Sequence, residues 1–322
     1  MKFPALAAPI AVVAFCSPIP AAEPVAPLQI EAHRADVFSL AFSPDGKLLA
    51  SACKDHTVGL WDPQTGKNVR TLKGHTADVL RVAFAPDGKH LASASADGTI
   101  RIWDPNRDEA VKTIKAHSNW VSGIAYSPDG RRIASASADK TACVLDAASG
   151  DKIATFKGHT AEVWGIAFSP DGKTVASCGK DKTIHLWDPA TGAGIRAMAA
   201  HETEVYTVAF NGRGNMLASC SSDATARVWN PETGEMLHKL KGHKGSVYTV
   251  VFQGDELISS SADKTVKVWD PVNGQELRAL APQKNELYAV AAMPDGSELA
   301  SATRSGTIQV YGHTSTARNN GR

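Results

Sequence analysis

A histidine that returns every 42 residues restricts this chain's fold more than any other feature. His33, His75, His117, His159, His201 and His243 keep that spacing. A Trp-type position runs in step with them at Trp61, Trp103, Leu145, Trp187, Trp229, Trp269 and Tyr311. Only the step from Trp229 to Trp269 is shorter, at 40 residues, because FQGDEL stands where another unit has the longer FNGRGNML. Such a period signals a repeat architecture, small supersecondary units that stack on one another. It overrides length as a guide, since 322 residues would suit one large domain or two ordinary ones.

Each unit reads as strands. In the second, VLRVAFA, HLASASA and TIRIW alternate apolar and polar residues, AVKTIK forms a shorter fourth run, and APDG, ADG and DPNRDE separate them. Period-two alternation between Pro-Asp-Gly and Asp-Gly turns predicts short antiparallel strands. Four of them make one small twisted sheet with two apolar faces. A sheet of that kind is not stable alone, so the units must stack face to face around an axis, and seven can close into a ring.

The stretch ASASADGTIRIWD, residues 92 to 104, holds Ser93 and Asp97, and His75 precedes it. Ser, His and Asp invite comparison with a hydrolytic triad. The stretch recurs, in altered form, in every unit, whereas a triad needs one exposed serine beside an oxyanion hole. The Gly-His pair, the Pro-Asp-Gly turn, the Ser-x-x-x-Asp run and the terminal Trp-Asp, repeated in register over residues 24 to 312, resemble the WD-repeat (Trp-Asp repeat) β-propeller family.

That resemblance implies an all-β fold, a seven-bladed β-propeller of four-stranded antiparallel blades, with sequence repeat and blade offset by one strand. The last repeat ends at Gly312 without a fourth strand. PLQIEAH, residues 27 to 33, fits the missing pattern, with Ile30 standing where Leu72, Ile114 and Phe156 stand elsewhere. The N-terminal strand is therefore expected to close the ring, and an outer edge tolerates Pro27. The expected organisation is a single propeller over residues 23 to 312 and a flexible tail over residues 313 to 322.

The resemblance also turns the apparent triad into structural hydrogen-bond chains. Trp103, Ser93, His75 and Asp97 would link the third strand, the second strand, the loop entering the first and the turn after the second. Equivalent sets are Trp61, Ser51, His33 and Asp55; Trp187, Ser177, His159 and Asp181; Trp229, Ser219, His201 and Asp223; and Trp269, Ser259, His243 and Asp263. Each buried polar group would supply the next one's partner, for about 1 kcal/mol net per bond. The third blade has Leu145 for Trp, and the seventh keeps Ser301 among Gln283, Ser305 and Tyr311.

In this family the face carrying the Gly-His loops commonly binds partners, through the residues three and five places after the His and the one before the turn Asp. The fifth place reads Phe38, Leu80, Ser122, Trp164, Tyr206, Tyr248 and Tyr288, and Trp120 stands at the third place of the third blade. The six aromatics are expected around the central mouth, Trp164 to Tyr288 along one arc with Trp120 and Phe38 at its ends. The carboxylates Asp36, Asp78, Glu162, Glu204 and Glu286 would lie just outside. Aromatic anchors within a polar rim have the composition of a binding hot spot. The acids favour a protein or peptide partner bearing Lys or Arg, and Lys54 and Arg304 would anchor an acidic group at one side. The bland alternative is that the aromatics fill the channel wall and the acids cap turns.

Other function classes have little support. Lys plus Arg number 34 against 33 Asp plus Glu, a net charge of +1, so the electrostatic footprint for nucleic acid or anionic membrane is absent. Constant loop lengths leave no room for a lid or a catalytic loop. His56, His90, His185, His238 and His313 show no metal-ligand spacing, and no cofactor is expected. A non-catalytic, monomeric interaction scaffold is the reading that results. The alternative is a propeller that binds a small ligand or carbohydrate at its aromatic mouth, or an enzyme of that shape, although the mouth lacks Asn and Gln.

The segment MKFPALAAPIAVVAFCSPIPAA carries Lys2, an apolar run from Ala5 to Phe15 and then small residues. That is the order of a secretory signal peptide, residues 1 to 22, and the run is too short to anchor in a bilayer. Export to an extracytoplasmic space, periplasmic or secreted, follows. Phe15 spoils a lipoprotein reading of VAFC ending at Cys16. Cys178 and Cys220 occupy one repeat position, so they point the same way around the ring. Together with Cys53 and Cys143 they are read as small apolar core residues, not disulfide partners.

Overall fold

The computed structural model describes residues 26 to 312 apart from residue 294; the expected leader, its Cys16 and the tail lie outside the described residues. Among the described residues 28 strands form seven four-stranded antiparallel sheets, with no helix. The first blade runs outward from the axis as Val37–Phe42, Leu49–Cys53, Val58–Trp61 and Asn68–Leu72. Blades two to six repeat it over residues 79–114, 121–156, 163–199, 205–241 and 247–279.

The seventh blade takes three strands from residues 287–312 and its outermost from Leu28–Glu31. That strand pairs antiparallel with Thr307–Gly312, placing Ile30 opposite Ile308. Pairing begins at Leu28 rather than Pro27, since proline has no N–H to give the ladder. Ile30 packs at the junction with the first blade, so the two ends of the propeller share one apolar cluster.

Among the described residues there is no single core. Seven apolar clusters lie between neighbouring blades, each joining the facing sides of two sheets. The second strands are buried on both faces, which explains their small residues, as in LASAC, LASAS and VASCG. Within LASAC, Leu49 and Cys53 face the seventh blade while Ala50 and Ala52 face the second, the alternation that a pleated strand imposes. Cys53, Cys143, Cys178 and Cys220 are free and buried.

One irregularity matters for the site. In every blade the register of the innermost strand slips by one residue, between Val37 and Ser39 in the first and between Val163 and Gly165 in the fourth. The residue skipped is Phe38, Leu80, Ser122, Trp164, Tyr206, Tyr248 or Tyr288. A bulge of this kind leaves one residue unpaired and re-aims its side chain.

Candidate functional site

The Ser, His and Asp sets form continuous chains. In the five complete ones the indole nitrogen of Trp61, Trp103, Trp187, Trp229 or Trp269 donates to a serine Oγ at 2.8 to 3.1 Å. The same oxygen (Ser51, Ser93, Ser177, Ser219, Ser259) lies 2.7 to 2.9 Å from His33, His75, His159, His201 or His243 Nε2. Nδ1 of each ring reaches Asp55, Asp97, Asp181, Asp223 or Asp263 at 2.8 to 3.0 Å. These serines are fully buried. With one lone pair taken by an indole N–H, the proton aimed at a ring nitrogen and the whole group buried, none can reach a substrate. They hold strands together.

Electrostatics fit that role. Burial lowers the pKa of His75, His201 and His243 against the pull of their aspartates. Burial alone would raise Asp97, but hydrogen bonds from Thr99 and His75 outweigh it and hold the carboxyl at about 2. The outcome is a neutral imidazole donating to a carboxylate.

Two further networks stand beside the five complete sets. The third blade keeps His117, 2.8 Å from Ser135 and 3.0 Å from Asp139, although Leu145 replaces the indole. Its signal was available, since Ser135 and Asp139 follow His117 as Ser93 and Asp97 follow His75. In the seventh blade Gln283 Nε2 donates to Ser301 Oγ at 2.6 Å and to the Tyr311 hydroxyl at 2.7 Å, which donates onward to Gln309.

Around the axis the bulged aromatics touch in sequence. Trp164 stacks on Tyr206 with ring centroids 5.2 Å apart and planes 7° from parallel. Tyr206 meets Tyr248 at 5.3 Å, Tyr248 meets Tyr288 edge-on at 4.9 Å, and Tyr288 stacks on Phe38 at 5.8 Å. Five consecutive blades, four to seven and one, thus share a continuous aromatic arc of half-buried rings. Burial raises the Tyr206, Tyr248 and Tyr288 phenols, Tyr248 to about 12, so they remain protonated donors. Trp120 differs from the expectation. It lies on the loop before its strand, is 57% exposed, and makes no ring contact among the described residues.

The rim acids have companions. Glu162 lies 3.2 Å from Lys180, Arg304 3.7 Å from Glu286 and Lys54 3.9 Å from Asp36, while Ser222 donates to Glu204 at 2.7 Å. The fifth acid, Asp78, faces His56 of the first blade at 3.6 Å. In the four pairs within a blade the cause is a backbone bond that ties the residue before the turn to the third-place carbonyl, as from Lys54 N to Asp36 O and from Arg304 N to Glu286 O. Lys54 and Arg304, expected to stand ready for an acidic group, therefore already face carboxylates of their own blades. Exposed pairs at these distances contribute little, about 0 to 1 kcal/mol, and exchange readily for other partners.

Cross-strand geometry also groups donor atoms that linear spacing separates. Those of His159, Asp181 and His185 lie within 4.8 Å of one another, as do those of His33, Cys53 and Asp55. Both nitrogens of His159 and of His33 are already engaged by Ser and Asp. Burial holds the Cys53 thiol up at about 12, and thus protonated. Neither set offers three free ligands.

A family model described as WD domain, G-beta repeat matches residues 25–62, 66–104, 108–146, 150–188, 193–230 and 234–270, well over half the chain. The seventh unit falls outside these matches, and it is the one carrying Gln283, Ser305 and Tyr311 at the pattern positions. Among individual proteins, Coronin-7 of Rattus norvegicus is 50% identical over 38 residues, 12% of this chain and 4% of that protein. Protein Mut11 of Chlamydomonas reinhardtii is 50% identical over 42 residues, 13% of this chain and 11% of that protein. Each likeness is about one repeat long and small against the relative's length. With six matched repeats and seven blades, the chain belongs to the WD-repeat (G-beta repeat) β-propeller family.

Proposed function

We propose that this protein is an exported, non-catalytic interaction scaffold whose Gly-His-loop face takes a peptide segment or loop of a protein partner. The carrying observation is the aromatic arc from Trp164 through Tyr206, Tyr248 and Tyr288 to Phe38, five rings set on bulges and left half-exposed together. Contiguous aromatics beside charged groups are what a hot spot requires. Leu80 and Ser122, on the far side of the mouth, supply no comparable anchor. The acids outnumber the bases at the rim, which favours a segment carrying Lys or Arg. Export rests on the order of charge, apolar run and small residues in the first 22 positions. Among the described residues no helix is long and apolar enough to cross a membrane.

A peptide is preferred to a sugar because the mouth positions include no Asn or Gln. The near-zero net charge disfavours nucleic acid. The test is site-specific photocrosslinking in the native producing cells. A crosslinker at position 206 should capture a discrete protein partner from the extracytoplasmic fraction, and one at position 173 in an SPDGK turn should not. Capture from position 173 alone would overturn the choice of face.

A further inference from the structure

One residue beyond each bulge, the inner strands line a central cavity of about 190 Å³. Most blades place a small or hydroxyl residue there, such as Gly123, Gly165, Thr207 or Thr249. The second blade places Arg81. Its Nη2 reaches across the ring to Thr207 Oγ1 of the fifth blade at 3.0 Å. Thr207 spends its own proton on the carbonyl of Tyr248, at 2.9 Å, so its oxygen is fixed as an acceptor directly beneath the aromatic arc.

This is the only hydrogen bond the Arg81 side chain makes among the described residues, although a guanidinium carries five donors in a planar fork. Among the described residues no carboxylate pairs with it. The titratable groups that face it are the thiols of Cys178 and Cys220, and burial raises both, Cys220 to about 12, so they bring no negative charge. Arg81 is half-buried, so its unused donors stay open toward the cavity with no counter-charge beside them among the described residues. The group that best fits the remaining fork is a carboxylate, which accepts two parallel N–H bonds. A water occupies about 30 Å³ of liquid, so the cavity has room for a carboxylate and accompanying water.

We propose that the central cavity is a carboxylate-binding site, with Arg81 as its cation. The carboxylate belongs either to an acidic side chain that enters through the mouth or to a free small organic acid. The site stands on Arg81 and its surroundings, not on the partner proposed above, and both can be tested separately.

The experiment follows the Arg81 Nε–Hε resonance of the mature protein by NMR, assigned from its loss in Arg81→Met. At constant ionic strength acetate should move this resonance saturably, and acetamide, of similar shape without charge, should leave it in place. Acetate should raise the melting temperature of the wild type and not of Arg81→Met. In Arg81→Lys, which keeps the charge without the fork, this rise should need a higher acetate concentration. A blocked peptide, N-acetyl-Ala-Glu-Ala amide, separates the sources: movement with it as well as with acetate supports entry of a side chain, and movement with acetate alone supports a free acid. A resonance unmoved by acetate and by the peptide, or moved equally by acetamide, would overturn the proposal.

Discussion

The Ser93 hydroxyl lies 2.7 Å from Nε2 of His75, buried where no substrate can approach, and the Trp103 indole donates to it from the other side. Ser93→Ala leaves an indole N–H and an imidazole nitrogen without their shared partner. A loss of about 1 to 3 kcal/mol in unfolding free energy is expected, measured in urea, with binding on the mouth face unchanged. A variant as stable as wild type would contradict the structural role.

These chains should make the propeller sensitive to acid in two stages. Burial lowers His75, His201 and His243 from the ordinary 6.5, so below that pH the unfolded chain takes up protons that the folded one resists. Stability is then complete above 6.5 and falls as the pH drops below it. Asp97 sits at about 2 against an ordinary 3.8, so its contribution is present above 3.8 and is lost as the pH falls toward 2. Melting temperatures measured across this range should fall in that order, and replacing His75 with Gln should flatten the first stage. A flat profile between neutral pH and pH 4 would be inconsistent with neutral buried imidazoles.

Ring closure has a sharp point of weakness at Gly306, whose φ is +90° and whose carbonyl accepts from Ala32 N and His33 N at 3.1 Å. A Cβ there would collide with the His33 carbonyl oxygen, which is backbone and cannot swing aside. Gly306→Ala should therefore cost on the order of 1 to 3 kcal/mol, by strain and by loosening the seam. Deleting residues 26 to 32 should go further, exposing the edge of Thr307–Gly312 to pairing between molecules. Light scattering on warming reports the second effect, and a monomeric deletion variant melting like wild type would show that the strand does not close the ring.

Much of this architecture was legible because repetition amplifies weak signals. One Ser, His or Asp means little, but the same triplet at a fixed spacing in several units locates the buried chains. Ile30 could be placed as a fourth-strand residue by its likeness to Leu72 and Ile114. Bulges were not legible: the register slip at Trp164 or Tyr206 follows from strand pairing, which alternation alone does not encode. Nor was the pairing of Lys54 with Asp36, since a backbone bond brings together residues 18 apart, one in the loop before the innermost strand and one in the turn after the second. Arg81 stayed hidden because its partner, Thr207, is on the far side of the ring. Trp120 was expected at one end of the arc from its third place after His117, whereas on its loop it is exposed and out of ring contact among the described residues.

The mouth gives the sharpest functional prediction, because neighbouring blades differ there while their cores do not. Trp164 and Tyr206 lie nearly parallel in contact, and Tyr248 bridges Tyr206 and Tyr288. Truncating Trp164 or Tyr248 to Ala removes an anchor and one wall for its neighbours. A partner seated on this arc should bind about 2 kcal/mol more weakly, or roughly thirtyfold. Both side chains stand on bulged residues outside the inter-blade clusters, so each variant should melt close to wild type. Glu204→Gln keeps its bond with Ser222 available while removing a rim charge. It should slow association at low salt, with little effect at high salt, because an exposed charge acts mainly through steering. Affinities and association rates at two ionic strengths measure these effects on the crosslinked partner. Normal binding by both aromatic variants would mean that the arc is channel wall and the partner sits elsewhere.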